Sequence, residues 1–194
     1  MFHDSKPGTV FVLAAILLVS ARAALTQEPS PGSSPDKLSA TIPLSNTALS
    51  SLANQILAAH NQVRSEVGVG PLRWSEGLAA YAQEWADWLF DHNAFQHHSA
   101  AQRREHHFGE NLFEIEGGVA TPTEVVTDWA NEVVDYDYRH NSCRNTCGHY
   151  TQIVWRETKE VGCAVARPHK RGVQKEIWVC EYDPPGNYVG ERPY

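Results

Sequence analysis

Apolar residues recur at helical spacing in three parts of the chain. The first part runs from Thr47 to Val67, and the second runs from Glu76 to about Asp91, where Ser75 is a good N-cap. A third helix is predicted from the capping box at residues 121–124, which has Pro122 at the first helical position. The predicted buried face of the first helix consists of Leu49, Leu52, Ile56, His60 and Val63. Each helix therefore has one apolar stripe to bury against a partner.

Shorter runs rich in β-branched and aromatic residues predict strands. One run is GENLFEI at residues 109–115, and two others, VGCAVAR and KEIWVCEY, flank the turn signal PHKRGV. These two runs predict a hairpin with its turn near Arg171 and Gly172. Because the helices come before, between and after the strands without βαβ alternation, the pattern predicts an α+β fold in which helices cover a sheet.

The N-terminal part has an apolar run of 11 residues, Val10 to Ser20, behind the positive charge of Lys6. The small residues on either side of Arg22 match the pattern that signal peptidase cleaves. A membrane-spanning helix needs ~20 apolar residues, so we expect residues 1–23 to be cleaved as a signal peptide rather than kept as an anchor. The mature protein is then secreted and has no stable membrane span.

Residues 24–46 are rich in Pro and Ser and poor in large apolar residues. Such a segment cannot bury enough surface to offset the entropy lost on ordering, which predicts a flexible linker. The remaining residues, 47–194, have a suitable length for one domain with one core. We expect this domain to be a monomer.

The chain is acidic, with a formal net charge of −7. The predicted signal peptide contains Lys6, Arg22 and Asp4, so its removal changes the charge to −8. Nucleic-acid-binding domains instead cluster Lys and Arg against phosphates. The basic cluster at residues 169–171 lies in the predicted hairpin turn and is interpreted as a solvated loop. The charge pattern therefore argues against a nucleic-acid partner.

Four cysteines in an exported chain predict two disulfides. The Cys143 and Cys147 spacing resembles a metal-binding pair, but export and the even count favour a small bridged loop. Cys163 and Cys180 lie in the two arms of the predicted hairpin, directly opposite each other if its turn is near Arg171. Opposed residues of paired strands lie ~4.5–5.5 Å apart at Cα, which suits a disulfide.

Four motifs occur in a specific order along the chain. They are HNQVR at residues 60–64, GENL at 109–112, GHYTQIVW at 148–155 and CEYDPPGNY at 180–188. In this order and rough spacing they resemble the four signature motifs of the CAP superfamily (cysteine-rich secretory proteins, antigen five and pathogenesis-related class one). The closing segment PPGNYVGERPY, residues 184–194, is most similar to the plant pathogenesis-related class-one branch.

The resemblance implies a three-layer α-β-α sandwich with a central polar cavity. By motif, the cavity residues of the family correspond to His98, Glu110, Glu132 and His149. Two imidazoles with flanking carboxylates suit Zn²⁺ or another divalent metal. The alternative is that the four residues only form hydrogen bonds around a polar cavity, and their spacing along the chain does not decide between the two.

Some residues complicate this assignment. Three histidines, His97, His106 and His107, compete for the role of His98, and we interpret them as exposed loop residues, with His97 the strongest competitor. Glu181 stands where the family usually has an uncharged or basic polar residue. The chain also lacks one cysteine pair of the plant members, which ties their helical layer to the hairpin.

The resemblance also implies binding of sterol or another lipid. Tyr136 and Tyr138 begin the loop that leads to Cys143, about where a sterol site of the family would fall, although the sequence alone favours ordinary packing for any single tyrosine. A further possibility is that residues 184–194 are released as a signalling peptide, as in plant relatives.

A peptidase is disfavoured, because the chain has neither an HExxH nor a GxSxG motif and its cysteines are expected to be paired. We therefore expect a protein that is not an enzyme. A hydrolase that uses metal-bound water, with Glu110 or Glu132 as its base, remains as an alternative.

Overall fold

A computed structural model describes residues 44–167 and 175–194 of the chain, in which five helices and six strands are found. The helices are α1 (Leu44–Glu66), α2 (Glu76–Asp91), α3 (Ala100–His106), α4 (Pro122–Asn131) and α5 (Gly148–Ile153), and a 3₁₀ turn (Glu132–Asp135) follows α4. The strands are β1 (Arg73–Trp74), β2 (Gly109–Glu116), β3 (Tyr136–Asp137), β4 (Ser142–Cys143), β5 (Glu160–Ala166) and β6 (Lys175–Asp183). The predicted signal peptide, most of the predicted linker and the predicted hairpin turn lie outside the described residues.

Helix α1 begins at Leu44, three residues before the predicted start of the domain. The last three residues of the predicted linker are therefore helical. Pro43 precedes them, and proline is a residue that favours the start of a helix. The sequence-based boundary gave too much weight to the local excess of Pro and Ser.

The other predicted helices have the expected starts. Ser75 caps α2, since its side chain accepts a hydrogen bond from Leu78 N at 3.4 Å. Thr121 and Glu124 form the predicted capping box of α4, in which each side chain bonds the backbone N–H of the other residue.

Strands β1, β5, β6 and β2 form one sheet in that order, in which only the β1–β5 pair is parallel. The hairpin of β5 and β6 places Cys163 opposite Cys180, and the two are joined by a disulfide. The second predicted disulfide, Cys143–Cys147, is also present. Both predicted pairings are confirmed.

Helices cover both faces of this sheet. On one face, α2 packs its buried residues Ala82, Trp85, Ala86 and Leu89 against Leu112, Ala164, Ile177 and Val179. On the other face, α1, α4 and α5 contribute Ile56, Trp129, Tyr150 and Ile153 to a core with Val161, Trp178 and Tyr182. The predicted α-β-α sandwich is confirmed.

Arg64 and Asn61 of the HNQVR motif connect α1 to the loops that follow it. The buried guanidinium of Arg64 donates to four carbonyl groups, those of Gly70, Ile153, Trp155 and Thr158, at 2.7–3.1 Å. The Asn61 side chain exchanges two hydrogen bonds with the backbone of Leu72. These residues brace the fold, as the burial of this helix face predicts.

Across residues 44–167 and 175–194, no helix has both the length and the apolar character needed to cross a bilayer.

Candidate functional site

Glu110, in the second position of β2, is the centre of a cluster of histidines. Its Oε1 accepts a hydrogen bond from His97 Nδ1 at 2.5 Å, and its Oε2 accepts one from His98 Nδ1 at 2.7 Å. The backbone N–H of His98 also donates to Oε1, at 3.1 Å. Burial by itself would raise the pKa of Glu110, but the hydrogen bonds from His97 and His98 outweigh it and lower that pKa below its ordinary value.

The His98 ring is held between two aromatic rings of α2. It stacks on Trp85 at 4.1 Å and on Tyr81 at 5.0 Å between ring centroids. Tyr81 and Trp85 lie four residues apart, so they share one face of the helix. His98 is therefore buried and fixed in orientation, whereas the side chain of His97 is 49% exposed.

Glu132 and His149 form a second pair. Their side chains are 2.7 Å apart, between Glu132 Oε1 and His149 Nδ1, and Glu132 Oε2 accepts the backbone N–H groups of His149 and Tyr150. Glu132 follows the last residue of α4, and α5 carries His149 as its second residue. Burial would raise the pKa of Glu132, but the hydrogen bond and charge of His149 lower it below the usual value.

One cavity of about 670 Å³ connects the two pairs, because Glu110 and His149 both line it. His97 and His107 also line this cavity, whereas His98 and Glu132 are not among its lining residues. The remaining lining residues are Phe108, Gly109, Asn111, Thr146, Gly148, Gln152, Pro185, Gly186, Asn187 and Tyr188. The structure thus arranges the four sequence-predicted residues as two hydrogen-bonded pairs, and one member of each pair lines this cavity.

Gly109 has a steric reason for being glycine. A Cβ atom at this position would lie 2.2 Å from the side-chain oxygen of Gln152. The same oxygen accepts the backbone N–H of Gly186 at 2.9 Å. The GENL, GHYTQIVW and CEYDPPGNY motifs therefore meet at one point beside the cavity.

Glu181 belongs to the same cluster and was not among the predicted site residues. His98, Glu110 and Glu181 each offer a ligand atom within 4.8 Å of the others, so this group could hold a metal ion. Burial raises the pKa of Glu181 to about 10, and the charge of Glu110 contributes in the same direction. The register of β2 on β6 could have revealed this residue, because it puts Glu181 directly opposite Glu110.

The competing histidines are in three different settings. His97 is an exposed loop residue, as predicted, and it also contacts Glu110, which the sequence analysis did not predict. His107 lines the cavity and adopts a positive φ of 57°. His106, at the end of α3, packs against Tyr81 at 4.6 Å and remains exposed. Adjacent histidines in a loop point in different directions, which sequence spacing does not resolve.

Comparison with known proteins identifies the family of this chain. The sequence model of the cysteine-rich secretory protein (CAP) family matches residues 57–182, which contain both His/Glu pairs. The chain belongs to the CAP family. It is 44% identical to pathogenesis-related protein 1 of Arabidopsis thaliana over 136 residues, which cover 70% of this chain and 78% of the relative.

A second plant sequence and a solved structure are also similar to this chain. Pathogenesis-related protein 1A of Nicotiana tabacum is 43% identical over 141 residues, 71% of this chain and 78% of that protein. The crystal structure of NaASP2 with Zn²⁺ superposes with a TM-score of 0.59 at 23% identity, over 75% of this chain and 86% of the other. This CAP domain is thus similar in sequence to plant pathogenesis-related proteins and similar in fold to NaASP2.

The CAP domain has an aromatic surface around Tyr136 and Tyr138, the two tyrosines predicted to bind lipid. The Tyr138 ring stacks on Tyr194 at 4.9 Å between centroids, and the Arg192 guanidinium also lies over the Tyr138 ring, 5.0 Å from its centroid. Tyr136 contacts Tyr194 at 6.3 Å. The C-terminal residues of the chain therefore pack on the predicted lipid loop, although 47% of Tyr138 stays exposed.

Proposed function

We propose that this chain is an exported defence-type CAP protein whose His/Glu cavity binds a divalent metal ion, with Zn²⁺ as the first ion to test. One observation carries the proposal: two carboxylates, Glu110 and Glu132, each bond an imidazole at 2.7 Å, and one member of each pair lines the same cavity. Carboxylate and imidazole are ligands that suit Zn²⁺. The crystallisation of the structural neighbour NaASP2 with Zn²⁺ supports this choice of ion.

The metal would be held by His98 and His149, with Glu110 and Glu132 as ligands or as acceptors for metal-bound water. The backbone N–H groups that hold Glu132 fix the orientation of its carboxylate. Hydrogen-bonded partners of this kind orient a ligand and keep its affinity high. The predicted signal peptide, residues 1–23, supports an extracellular location.

Calorimetric titration of the purified protein with ZnCl₂ tests this proposal. We expect saturable binding by the wild type and a loss of affinity of at least ~10-fold in His98→Ala and in His149→Ala. His140→Ala is the matched control, because His140 is exposed and pairs with Asp137 away from the cavity. Absence of saturable binding by the wild type, or equal binding by His149→Ala, would contradict the proposed site.

A second candidate function is binding of sterol or another lipid at Tyr136 and Tyr138. Its support is the cluster of four tyrosine rings formed with Tyr150 and Tyr194, beside a second cavity of about 260 Å³ lined by Tyr136, Trp155 and Tyr188. A liposome or sterol retention assay with a Tyr136→Ala/Tyr138→Ala variant tests this site. Equal retention by the variant and the wild type would rule the tyrosines out.

Neither candidate function requires catalysis. A metal-water hydrolase with Glu110 or Glu132 as base is a less favoured alternative, since both carboxylates are already engaged by histidines and have lowered pKa values. Release of residues 184–194 as a signalling peptide is a further alternative, and it would require the bonds of this segment to the domain to break.

A further inference from the structure

Glu110 and Glu181 occupy neighbouring positions on the face of the sheet that α2 covers. Glu181 in β6 is opposite Glu110 in β2 on one side and opposite Gly162 in β5 on the other. Directly opposed residues of neighbouring strands point to the same face of a sheet. A Cβ atom on Gly162 would lie 2.2 Å from the backbone nitrogen of Ala79 in α2, so the helix lies directly on this face. The two carboxyl groups are therefore confined between sheet and helix.

Two ionised carboxylates in this position would be unfavourable by themselves. Like charges that face each other across strands repel, and a buried carboxyl group loses its hydration. The side chains of Glu110 and Glu181 are only 2% and 1% exposed. Within the described part of the chain, Glu181 Oε1 has no hydrogen-bond partner. The oxygen is nevertheless directed into the cluster, 3.5 Å from His98 Nδ1.

The spacing of these atoms suits a small divalent ion. Bonds of ~2.0–2.1 Å in a tetrahedral arrangement hold ligand atoms ~3.3 Å apart. His98 Nδ1 is 2.7 Å from Glu110 Oε2 and 3.5 Å from Glu181 Oε1. All three ligand atoms lie within 4.8 Å of one another, so side-chain rotations that break the His98–Glu110 hydrogen bond would bring them around one ion. An ion at this point would neutralise both carboxylates and engage the unpartnered oxygen.

We propose that Glu181 is a direct protein ligand, with His98 and Glu110, of a divalent-cation centre on the sheet face beneath α2. This inference rests on the proposed metal-binding function and identifies a ligand outside the four residues of the two His/Glu pairs. With Glu181 as a ligand, the centre has more carboxylate oxygen ligands than a site built on two histidines. Carboxylates suit harder ions such as Mn²⁺ better than imidazoles do, so Glu181 contributes more to Mn²⁺ binding than to Zn²⁺ binding.

The test compares Glu181→Gln with the wild type by calorimetric titration with ZnCl₂ and, separately, MnCl₂. The substitution keeps the size of the side chain and removes the anionic ligand. Glu176→Gln is the matched control, because Glu176 is 1% exposed on the same strand but bonds to Arg167, Trp178 and the backbone of Ala120 instead. Thermal unfolding of each metal-free variant shows that it is folded. Glu181→Asn provides a second variant should Glu181→Gln fail to fold.

We expect Glu181→Gln to weaken Zn²⁺ binding at least ~10-fold and Mn²⁺ binding more strongly, while Glu176→Gln binds as the wild type does. In the Co²⁺-loaded protein, loss of one ligand also changes the visible absorption spectrum. Wild-type affinity in Glu181→Gln together with weak binding in His98→Ala would overturn the role of Glu181 and leave the His/Glu centre in place. A wild-type protein that binds neither ion would overturn both.

Discussion

His60 illustrates how one buried side chain connects the core to the site. Its Nδ1 donates to the backbone carbonyl of Ile56, so its Nε2 must accept from Tyr182 Oη, each at 2.8 Å. Asn111 in turn donates to Tyr182 Oη and to the backbone carbonyl of His149, both at 3.1 Å. A continuous set of hydrogen bonds therefore runs from α1 through β6 and β2 to a predicted metal ligand.

This arrangement makes the stability of the protein depend on pH. Burial lowers the pKa of His60 from its ordinary value to about 4, and the charge of Arg64 also lowers it. Between about pH 6.5 and pH 4 the unfolded chain binds a proton at this position and the folded chain does not, so stability falls as the pH falls through this window. We expect His60 to contribute about 3 kcal/mol to that loss.

Urea unfolding at several values from pH 7.5 to pH 4 measures this effect. A His60→Gln variant keeps a polar side chain that does not titrate, so its free energy of unfolding should decrease less steeply with falling pH than that of the wild type. Identical slopes for wild type and His60→Gln would show that His60 does not stay neutral in the fold.

At the scale of elements, helical periodicity and strand patterns predicted most of this fold. The capping box at Thr121 and the opposed cysteines of the hairpin could be predicted, because each depends on residues that are close together in sequence. The start of α1 was harder to predict, because a Pro/Ser-rich segment directly precedes it. The four cavity residues followed from family motifs rather than from periodicity.

Glu181 was missed as a site residue because its role depends on which strands pair. Its contact with Glu110 requires β2 to lie beside β6, although the two strands are separated by α4, α5 and β5 in sequence. The sequence marks Glu181 only as a departure from the family pattern. The contact of His97 with Glu110 was not predicted for a related reason, since the direction of each side chain in the 97–99 loop depends on tertiary packing.

The two disulfides are expected to stabilise the folded protein to different extents. The Cys163–Cys180 bridge spans 17 residues and the Cys143–Cys147 bridge spans 4. On the loop-entropy model these bridges stabilise by roughly 3 and 2 kcal/mol, respectively. We therefore expect Cys163→Ala/Cys180→Ala to lower the free energy of urea unfolding more than Cys143→Ala/Cys147→Ala does. A larger loss for the short bridge would show that strain or packing, rather than loop length, determines the difference.

On the scale of the whole molecule, the C-terminal segment joins parts of the chain that are distant in sequence. Asn187 bonds to Thr151 and to the backbone of Gly148 in α5. Further along, the carbonyl of Pro193 accepts the backbone N–H of Arg156, and the carbonyl of Glu191 accepts the side chain of Asn141. The segment thus ends on the tyrosines proposed to bind lipid. The same contacts of this segment therefore stabilise the domain and cover the tyrosines.

Removing residues 189–194 should separate these two effects. The deletion removes the bonds to Arg156 and Asn141 and the Tyr194 ring on Tyr138, so we expect the free energy of unfolding to fall by about 2 kcal/mol. Bonds of Gly186 and Asn187 to the domain are kept, so the domain should still fold.

Because Tyr136 and Tyr138 lose the ring of Tyr194 in this deletion, sterol retention should increase relative to the full chain. Equal sterol retention by the deletion variant and the full chain, at matched stability, would mean that the segment does not control access to the tyrosines.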